Sequence, residues 1–553
     1  MLSFSKSSNN SIRREKMRRK KSGWIFAAIA LTFSMIGCSS RAYKSSPLTE
    51  AKGKTWAAPQ YAGEERWQAS LDRPHQEEKN QWNRERYKRI YENPFRSVKD
   101  HPLSTFSIDV DTASYSNIRR FLNRNQRPPK DAVRIEELIN YFSYNYPNPK
   151  GEVPFSVNVE IAGCPWNLKH RLVRIGLKAK TVEFSKRPPS NLVFLIDVSG
   201  SMAAPNKLPL LKKAFRILLQ NLGEKDRVAI VVYAGQEGLV LPSTPCSQKE
   251  TILSALNNLE SGGSTNGGAG IQLAYRVAVE NFIPGGINRV ILATDGDFNV
   301  GITDEGALTR LIEEKAKSGI FLTVLGFGMY NLNDSTMEQL ADKGNGNYAY
   351  IDTIQEARKV LSEEISSTLI TVAKDVKIQV EFNPLQVSAY RLIGYENRIL
   401  RKEDFNDDKK DAGEIGAGHT VTALYEVVPA WQSSPTTNVE PLKYQSERTL
   451  TSAAKSGEML TIKLRYKEPN SEKSKLISFP ITDPGKKWSQ ATPEFKFAAA
   501  VAAFGMLLRD SKFKGNSNFN MVLELAQEGL PYDKYGYRRE FLSLVQKAKE
   551  LSQ

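Results

Sequence analysis

Two hydrophobic rhythms divide this chain. Strict alternation at Phe155, Val157, Val159 and Ile161, and again at Val173, Ile175, Leu177 and Ala179, puts apolar side chains on one face of each of two strands. The same period returns at Val376-Ile378-Val380-Phe382, Val421-Ala423-Tyr425-Val427 and Leu460-Ile462-Leu464-Tyr466. Half-buried strands of this kind predict an antiparallel sandwich. Between the two sets the rhythm changes. Val193–Ile196, Val228–Tyr233, Val290–Ala293 and Ile320–Leu325 are short continuous apolar runs, as expected of strands covered on both faces. Helical stripes alternate with them: Leu208, Leu211, Phe215, Leu218 and Leu222, then Leu308, Leu311, Ile312 and Ala316.

Alternating strands and helices predict an α/β domain, a doubly wound and mostly parallel sheet of Rossmann-like type. The alternating strands lie on both sides of it, so this domain, at 191–370, is expected to be inserted in a β-rich domain built from 95–190 and 371–485. Helices are expected at 113–123 and 132–144 in the N-terminal flank, and the stretch 486–553 reads as helical. Its apolar run Phe497–Leu508 is too short to span a bilayer and reads as a core helix. Residues 433–458 have the composition of a polar surface insertion.

Composition adds an address at the N-terminus. The formal charge of +16 is uneven, because residues 1–37 hold eight Lys/Arg against one Glu. The excess over the rest reads as a solvated surface, and no nucleic-acid partner is expected. The basic stretch precedes an apolar run, Trp24 to Gly37, of signal-peptide length. It ends Ser34-Met35-Ile36-Gly37-Cys38-Ser39-Ser40, which resembles a bacterial lipobox, with Met35 departing from the usual Leu. Residues 1–37 are therefore expected to be a lipoprotein signal peptide, with Cys38 lipid-modified. Residues 38–94 are expected to be a flexible polar tether, and the protein to be membrane-anchored in the cell envelope, facing the periplasm or on the outer membrane. With Cys38 set aside, Cys164 and Cys246 are too few for a disulfide scaffold, but an exported chain allows them to pair.

The chemistry lies at the ends of the continuous strands, where ligands of doubly wound sheets bind. Val193-Phe194-Leu195-Ile196-Asp197-Val198-Ser199-Gly200-Ser201 places an Asp at a strand end and two hydroxyls after it at two-residue spacing. A glycine-rich loop, Gly262-Gly263-Ser264-Thr265-Asn266-Gly267-Gly268, presents a Thr before a helix. Ile291-Leu292-Ala293-Thr294-Asp295-Gly296 puts a second Asp at another strand end. A hard divalent cation takes about six oxygens, and three such loops at one sheet edge can supply them. In this order the segments resemble the von Willebrand factor A (VWA) family and its metal-ion-dependent adhesion site. The flanks, including Thr105–Ser114 and Gly394-Tyr395-Glu396-Asn397, are similar to a group of bacterial VWA lipoproteins.

The resemblance implies hydroxyl ligation by Ser199, Ser201 and Thr265, with Asp197 and Asp295 acting through water. It also implies one position left for a Glu or Asp carboxylate of a protein partner. The expected ion is magnesium, with manganese or calcium as alternatives. A purely structural ion is the other reading of the same residues.

An enzyme is the rival class. Phe106-Ser107-Ile108-Asp109-Val110-Asp111-Thr112 resembles the DxDxT motif of haloacid-dehalogenase-type phosphatases, in which Asp109 would be the nucleophile and Asp111 the acid/base. The segments that follow are not βα units, so both residues read better as turn or cap carboxylates. Asp404-Phe405-Asn406-Asp407-Asp408 begins like a calcium loop but has Lys409 and Ile415 where Gly and Glu are required, so a solvated acidic turn is expected. No Walker loop, catalytic triad or zinc helix is present, and a binding protein rather than an enzyme is expected.

Overall fold

The structure is a computed structural model and describes residues 85–553 except 235–236, 264–266, 297–303, 434 and 436–448. The signal segment, Cys38, nearly all of the tether, Thr265 and most of the polar insertion lie outside the described residues.

Along the N-terminal flank run β1 (Arg96–Ser97), β2 (Leu103–Ser107), α1 (Ala113–Leu122), α2 (Ile135–Asn140), β3 (Phe155–Cys164) and β4 (Asn167–Ala179). The central domain follows with β5 (Ser190–Asp197), α3 (Leu208–Asn221), β6 (Arg227–Tyr233), β7 (Glu237–Pro245), α4 (Lys249–Asn257) and α5 (Gly267–Glu280). It continues through β8 (Ile287–Thr294), α6 (Glu305–Ala316), β9 (Phe321–Phe327), α7 (Asp334–Lys343), β10 (Tyr348–Ile351), α8 (Ile354–Arg358) and α9 (Ile365–Leu369). The second flank holds β11 (Thr371–Phe382), β12 (Val387–Ile393), β13 (Gly413–Gly416), β14 (Thr420–Pro429), β15 (Leu460–Lys467) and β16 (Ser474–Ile481). Helices α10 (Pro493–Arg509), α11 (Phe519–Gln527) and α12 (Tyr537–Glu550) close the chain.

The central sheet has the order β10-β9-β8-β5-β6-β7. It is parallel except for β7, which pairs antiparallel with β6. Every residue of β5 is buried because helices cover both faces, which explains its continuous apolar run. Phe215 of α3 meets Phe194 of β5 with ring centroids 4.2 Å apart. Burying such a ring contributes about 1.5–3 kcal/mol, so this contact helps hold α3 against β5.

The domain is inserted in a β-sandwich. One sheet has the order β1-β12-β14-β4-β3; the other has β13-β11-β15-β16, with β2 also paired to β11. Strands from before and after the insert pair directly, as Ala423 with Ile175 and Val380 with Ser104. The inner faces share one core that includes Ile175, Leu177, Ile378, Val380, Val421 and Ile462. Helices α1, α2, α10, α11 and α12 form a second layer over the outer face of the first sheet, meeting it at Ala162, Leu172, Ile393 and Leu424. Almost all of α10 is buried in that layer. No helix among the described residues is long and apolar enough to cross a membrane.

Two expectations are corrected. Cys164 and Cys246 are free, buried thiols. Cys164 ends β3 against the helical layer and Cys246 sits behind β7 in the central domain, so each packs as a small apolar side chain in its own core. The second N-terminal helix is shorter than its apolar pattern. Val133 and Arg134 are extended before it, and after it the chain leaves the helix to stack Tyr144 on Tyr146.

Candidate metal centre

Strands β5 and β8 are parallel neighbours, with Ile196 opposite Ala293, so their carboxyl ends deliver Asp197 and Asp295 side by side. This is the point where the strand order reverses, the usual crevice of a doubly wound sheet. The turn after β5 folds back on itself: the Ser199 N–H donates to Asp197 Oδ1 at 2.9 Å. The glycine-rich loop is tied to that turn by Gly262 N–H to the Val198 carbonyl at 2.7 Å and by Gly200 N–H to the Gly263 carbonyl at 3.0 Å. All three segments thus meet at one edge.

The side-chain oxygens converge there. Ser199 Oγ and Ser201 Oγ are 3.0 Å apart, and Ser201 Oγ donates to Asp295 Oδ2 at 2.7 Å. Asp197, Ser199 and Asp295 are buried, whereas Ser201 is exposed and forms the mouth. Thr294 Oγ1 donates to Asp197 Oδ2 at 3.0 Å, and the Tyr233 hydroxyl lies 3.5 Å from the same oxygen. Gly270 of α5 admits that tyrosine, since a Cβ there would come within 2.8 Å of Tyr233 Cβ. Burial first, and the neighbouring Asp295 charge second, push Asp197 up to about 7.

This donor set fits a small divalent cation. Adjacent oxygens of an octahedron with ligands at about 2.1 Å lie about 3.0 Å apart, which is the separation of the two serine hydroxyls. Two buried carboxylates beside them supply the charge. Asp197, Ser199, Ser201 and Asp295 are brought together; Thr265 lies outside the described residues.

Three contributors were not read from the sequence. Thr294 orients Asp197. Lys207, just before α3, places Nζ 2.8 Å from Asp295 Oδ2, and Asn331 Nδ2 donates to that oxygen at 3.0 Å. A lysine preceding an apolar helix carries no signal of burial, and Asn331 lies in a loop without pattern.

The comparisons with known proteins agree with this geometry. The von Willebrand factor type A domain family matches residues 191–364, a von Willebrand factor family matches 81–174, and the family described as uncharacterized protein YfbK, C-terminal, matches 367–551. Uncharacterized protein YfbK of Escherichia coli (strain K12) is 44% identical over 471 residues, 84% of this chain and 81% of that one. The chain belongs to the YfbK family of VWA proteins. Human inter-alpha-trypsin inhibitor heavy chain H3 is 29% identical over 257 residues, covering 43% of this chain and 28% of that protein. Among solved structures, von Willebrand factor type A from Catenulispora acidiphila is 16% identical, covers 72% of this chain and 91% of that one, and has a TM-score of 0.39.

The DxDxT carboxylates lie elsewhere, at the seam between the VWA domain and its flanks. Asp109 is 2% exposed. It accepts from the Asp111 N–H at 2.9 Å, so it does shape its own turn, but it also faces Arg398, with Nε at 3.2 Å. Asp111 accepts from Arg398 Nη2 at 3.2 Å and from the Tyr348 N–H of β10 at 2.7 Å. Arg398 also pairs with Asp342 of α7. Arg134, from the flank, reaches Asp334 of α7 at 2.6 Å. Asp111 and Arg398 thus join the flank to the VWA domain, while Asp109 shapes its own turn and holds Arg398 in place.

The calcium-like stretch is not merely solvated either. Asp404 is buried, and Lys377 Nζ donates to the Asp404 and Asp407 carbonyls at 3.2 and 2.5 Å. Near it, carboxylate oxygens of Asp375, Asp411 and Glu414 lie within 4.8 Å of one another. Lys467 and Lys343 pair with the first two of these residues.

Proposed function

We propose that this protein is a lipid-anchored component of the bacterial cell envelope whose VWA domain binds a protein partner through a divalent cation. The observation that carries this reading is the convergence of Asp197, Ser199, Ser201 and Asp295 at the mouth between β5 and β8. Ser199 and Ser201 would hold the ion directly and Asp197 and Asp295 would steady it from behind, with Thr265 of the glycine-rich loop as the remaining family ligand. When bound, the ion supplies an electrophilic centre for a Glu or Asp carboxylate.

The chain's own groups prepare that role. The Asp197 carboxylate is set by the Ser199 N–H and the Thr294 hydroxyl, so it enters the site already oriented. Ser201 is exposed, which leaves one side of the site open to an approaching side chain. Magnesium is the proposed ion, and manganese should substitute because both take octahedral oxygen sites. Binding, not turnover, is the proposed activity.

The test is thermal unfolding with and without magnesium. A ligand at 100 times its dissociation constant stabilises the native state by about 2.7 kcal/mol. Magnesium should raise the melting temperature of the wild type, leave Asp197→Ala nearly unmoved, and act on Ser199→Ala to an intermediate degree. An equal rise in wild type and Asp197→Ala would show that the ion binds elsewhere. A partner whose binding survives both chelation and Asp197→Ala would make the ion structural.

A further inference from the structure

The two carboxylates of the metal centre are not equivalent. Asp197 is met by neutral donors among the described residues, the Ser199 N–H and the Thr294 hydroxyl. Asp295 is met by a cation. Lys207 Nζ lies 2.8 Å from Asp295 Oδ2 and 2.9 Å from Asn331 Oδ1, and the lysine is only 6% exposed. Asn331 Nδ2 and Ser201 Oγ donate to the same Asp295 oxygen at 3.0 and 2.7 Å.

The route of the lysine is built for it. Its stem crosses the backbone at Gly328, which has φ +85°. A Cβ at that position would come within 2.2 Å of Lys207 Cε, 2.7 Å of Cγ and 2.8 Å of Cδ. Only glycine lets the aliphatic chain pass. A lysine that merely covered the surface would keep its ammonium in water; this one surrenders water for a carboxylate in the metal centre.

We infer that Lys207 is the internal counter-charge of the metal centre, cancelling Asp295 so that a bound divalent cation keeps a net positive field at its open side. This rests on the proposed cation-dependent function and specifies how the site favours an anionic partner. With the ion bound and both carboxylates ionised, Asp197, Asp295 and Lys207 together carry one negative charge, so a divalent cation leaves these groups net positive. Without the lysine the two carboxylates neutralise the ion fully. The ion would then bind more tightly and attract a partner's carboxylate less. Lys207 thus weakens the hold on the ion and strengthens the pull on the ligand, and it acts as a positioning residue that touches neither.

The test uses the full chain in detergent, with Lys207→Met and Lys207→Gln. Both keep most of the stem across Gly328 and remove the charge, and the second serves if the first does not fold. Magnesium affinity is measured by calorimetry at fixed low ionic strength. Acetate is titrated against the manganese-loaded protein by water-proton relaxation, which falls as the carboxylate displaces water from the ion. Removing one buried positive charge beside the site should tighten magnesium binding roughly tenfold or more. Acetate affinity should fall at least several-fold in the same variants. Loss of packing alone would weaken both, so opposite movement is the signature. A folded variant whose magnesium affinity is unchanged or weaker would overturn the inference while leaving the metal site standing. A wild type that takes up neither magnesium nor manganese would overturn both.

Discussion

Replacing Asp109 with Asn probes the seam between domains and the phosphatase chemistry at once. The amide oxygen can still accept the Asp111 N–H, 2.9 Å away, but its NH2 group then faces Arg398 Nε, donor against donor. At an effective dielectric of about 20, the attraction lost across the 3.2 Å contact is about 5 kcal/mol. Two effects offset it. Burial, and next the Asp109 charge, hold Asp111 well above the usual carboxylate range, so removing that charge relieves its neighbour. Arg398 also keeps Asp111 at 3.2 Å and its pair with Asp342. The net cost should therefore be about 2 kcal/mol, below the roughly 3–5 kcal/mol of a buried pair broken outright. In urea unfolding followed by tryptophan fluorescence, a slope of about 3 kcal/mol/M would lower the midpoint by about 0.7 M. Neither wild type nor Asp109→Asn should hydrolyse p-nitrophenyl phosphate in the presence of magnesium. An unmoved midpoint refutes the clamp, and a wild-type hydrolysis that vanishes in the variant restores Asp109 as a nucleophile.

Three further outcomes are expected. Glu136 is buried with Oε2 unpartnered, and burial first, then the Glu396 charge, push its carboxyl up to about 7. Its contribution is fully present below its unfolded value of about 4.3 and is lost as pH rises towards 7, by at most roughly 4 kcal/mol. Stability should fall between about pH 4 and pH 7, and Glu136→Gln should flatten that slope; an equally steep variant would remove Glu136 as its source. Burial raises the Cys164 thiol, and burial followed by the Asp226 charge raises Cys246 to about 12. Both should resist iodoacetamide in the native protein at pH 8 and react in urea without reductant, whereas protection that persists in urea would reveal a bridge. Cys38→Ala should abolish fatty-acid labelling of the expressed chain, and undiminished labelling would refute the anchor.

Much of the architecture was legible because burial on two faces and burial on one leave different traces. Val193–Ile196 and Val290–Ala293 read as covered strands and are β5 and β8; the alternating sets at 155–161 and 376–382 are β3 and β11. Strand β7 escaped, since as the sheet edge it carries exposed Leu239 and Val240 and follows neither rhythm. The metal-centre ligands were legible because a strand end fixes where its next side chain points. Lys207 was not: its burial depends on the backbone path at Gly328 and on Asn331, 124 residues on. Asp109 is the turn carboxylate that the sequence suggests, but its second partner Arg398, 289 residues away, left no trace in the local pattern.

Inserting the VWA domain between paired strands also sets a schedule for biogenesis. Trp166, at the β3–β4 hairpin, donates its indole N–H to Glu426 of β14, 260 residues later. At about 5–20 residues per second of synthesis, that partner arrives on the order of tens of seconds after the hairpin. Throughout that interval β4 presents an open edge, the kind of surface that recruits foreign strands. Until the second flank has emerged, this β4 edge is the surface that any chaperone of the chain would have to cover.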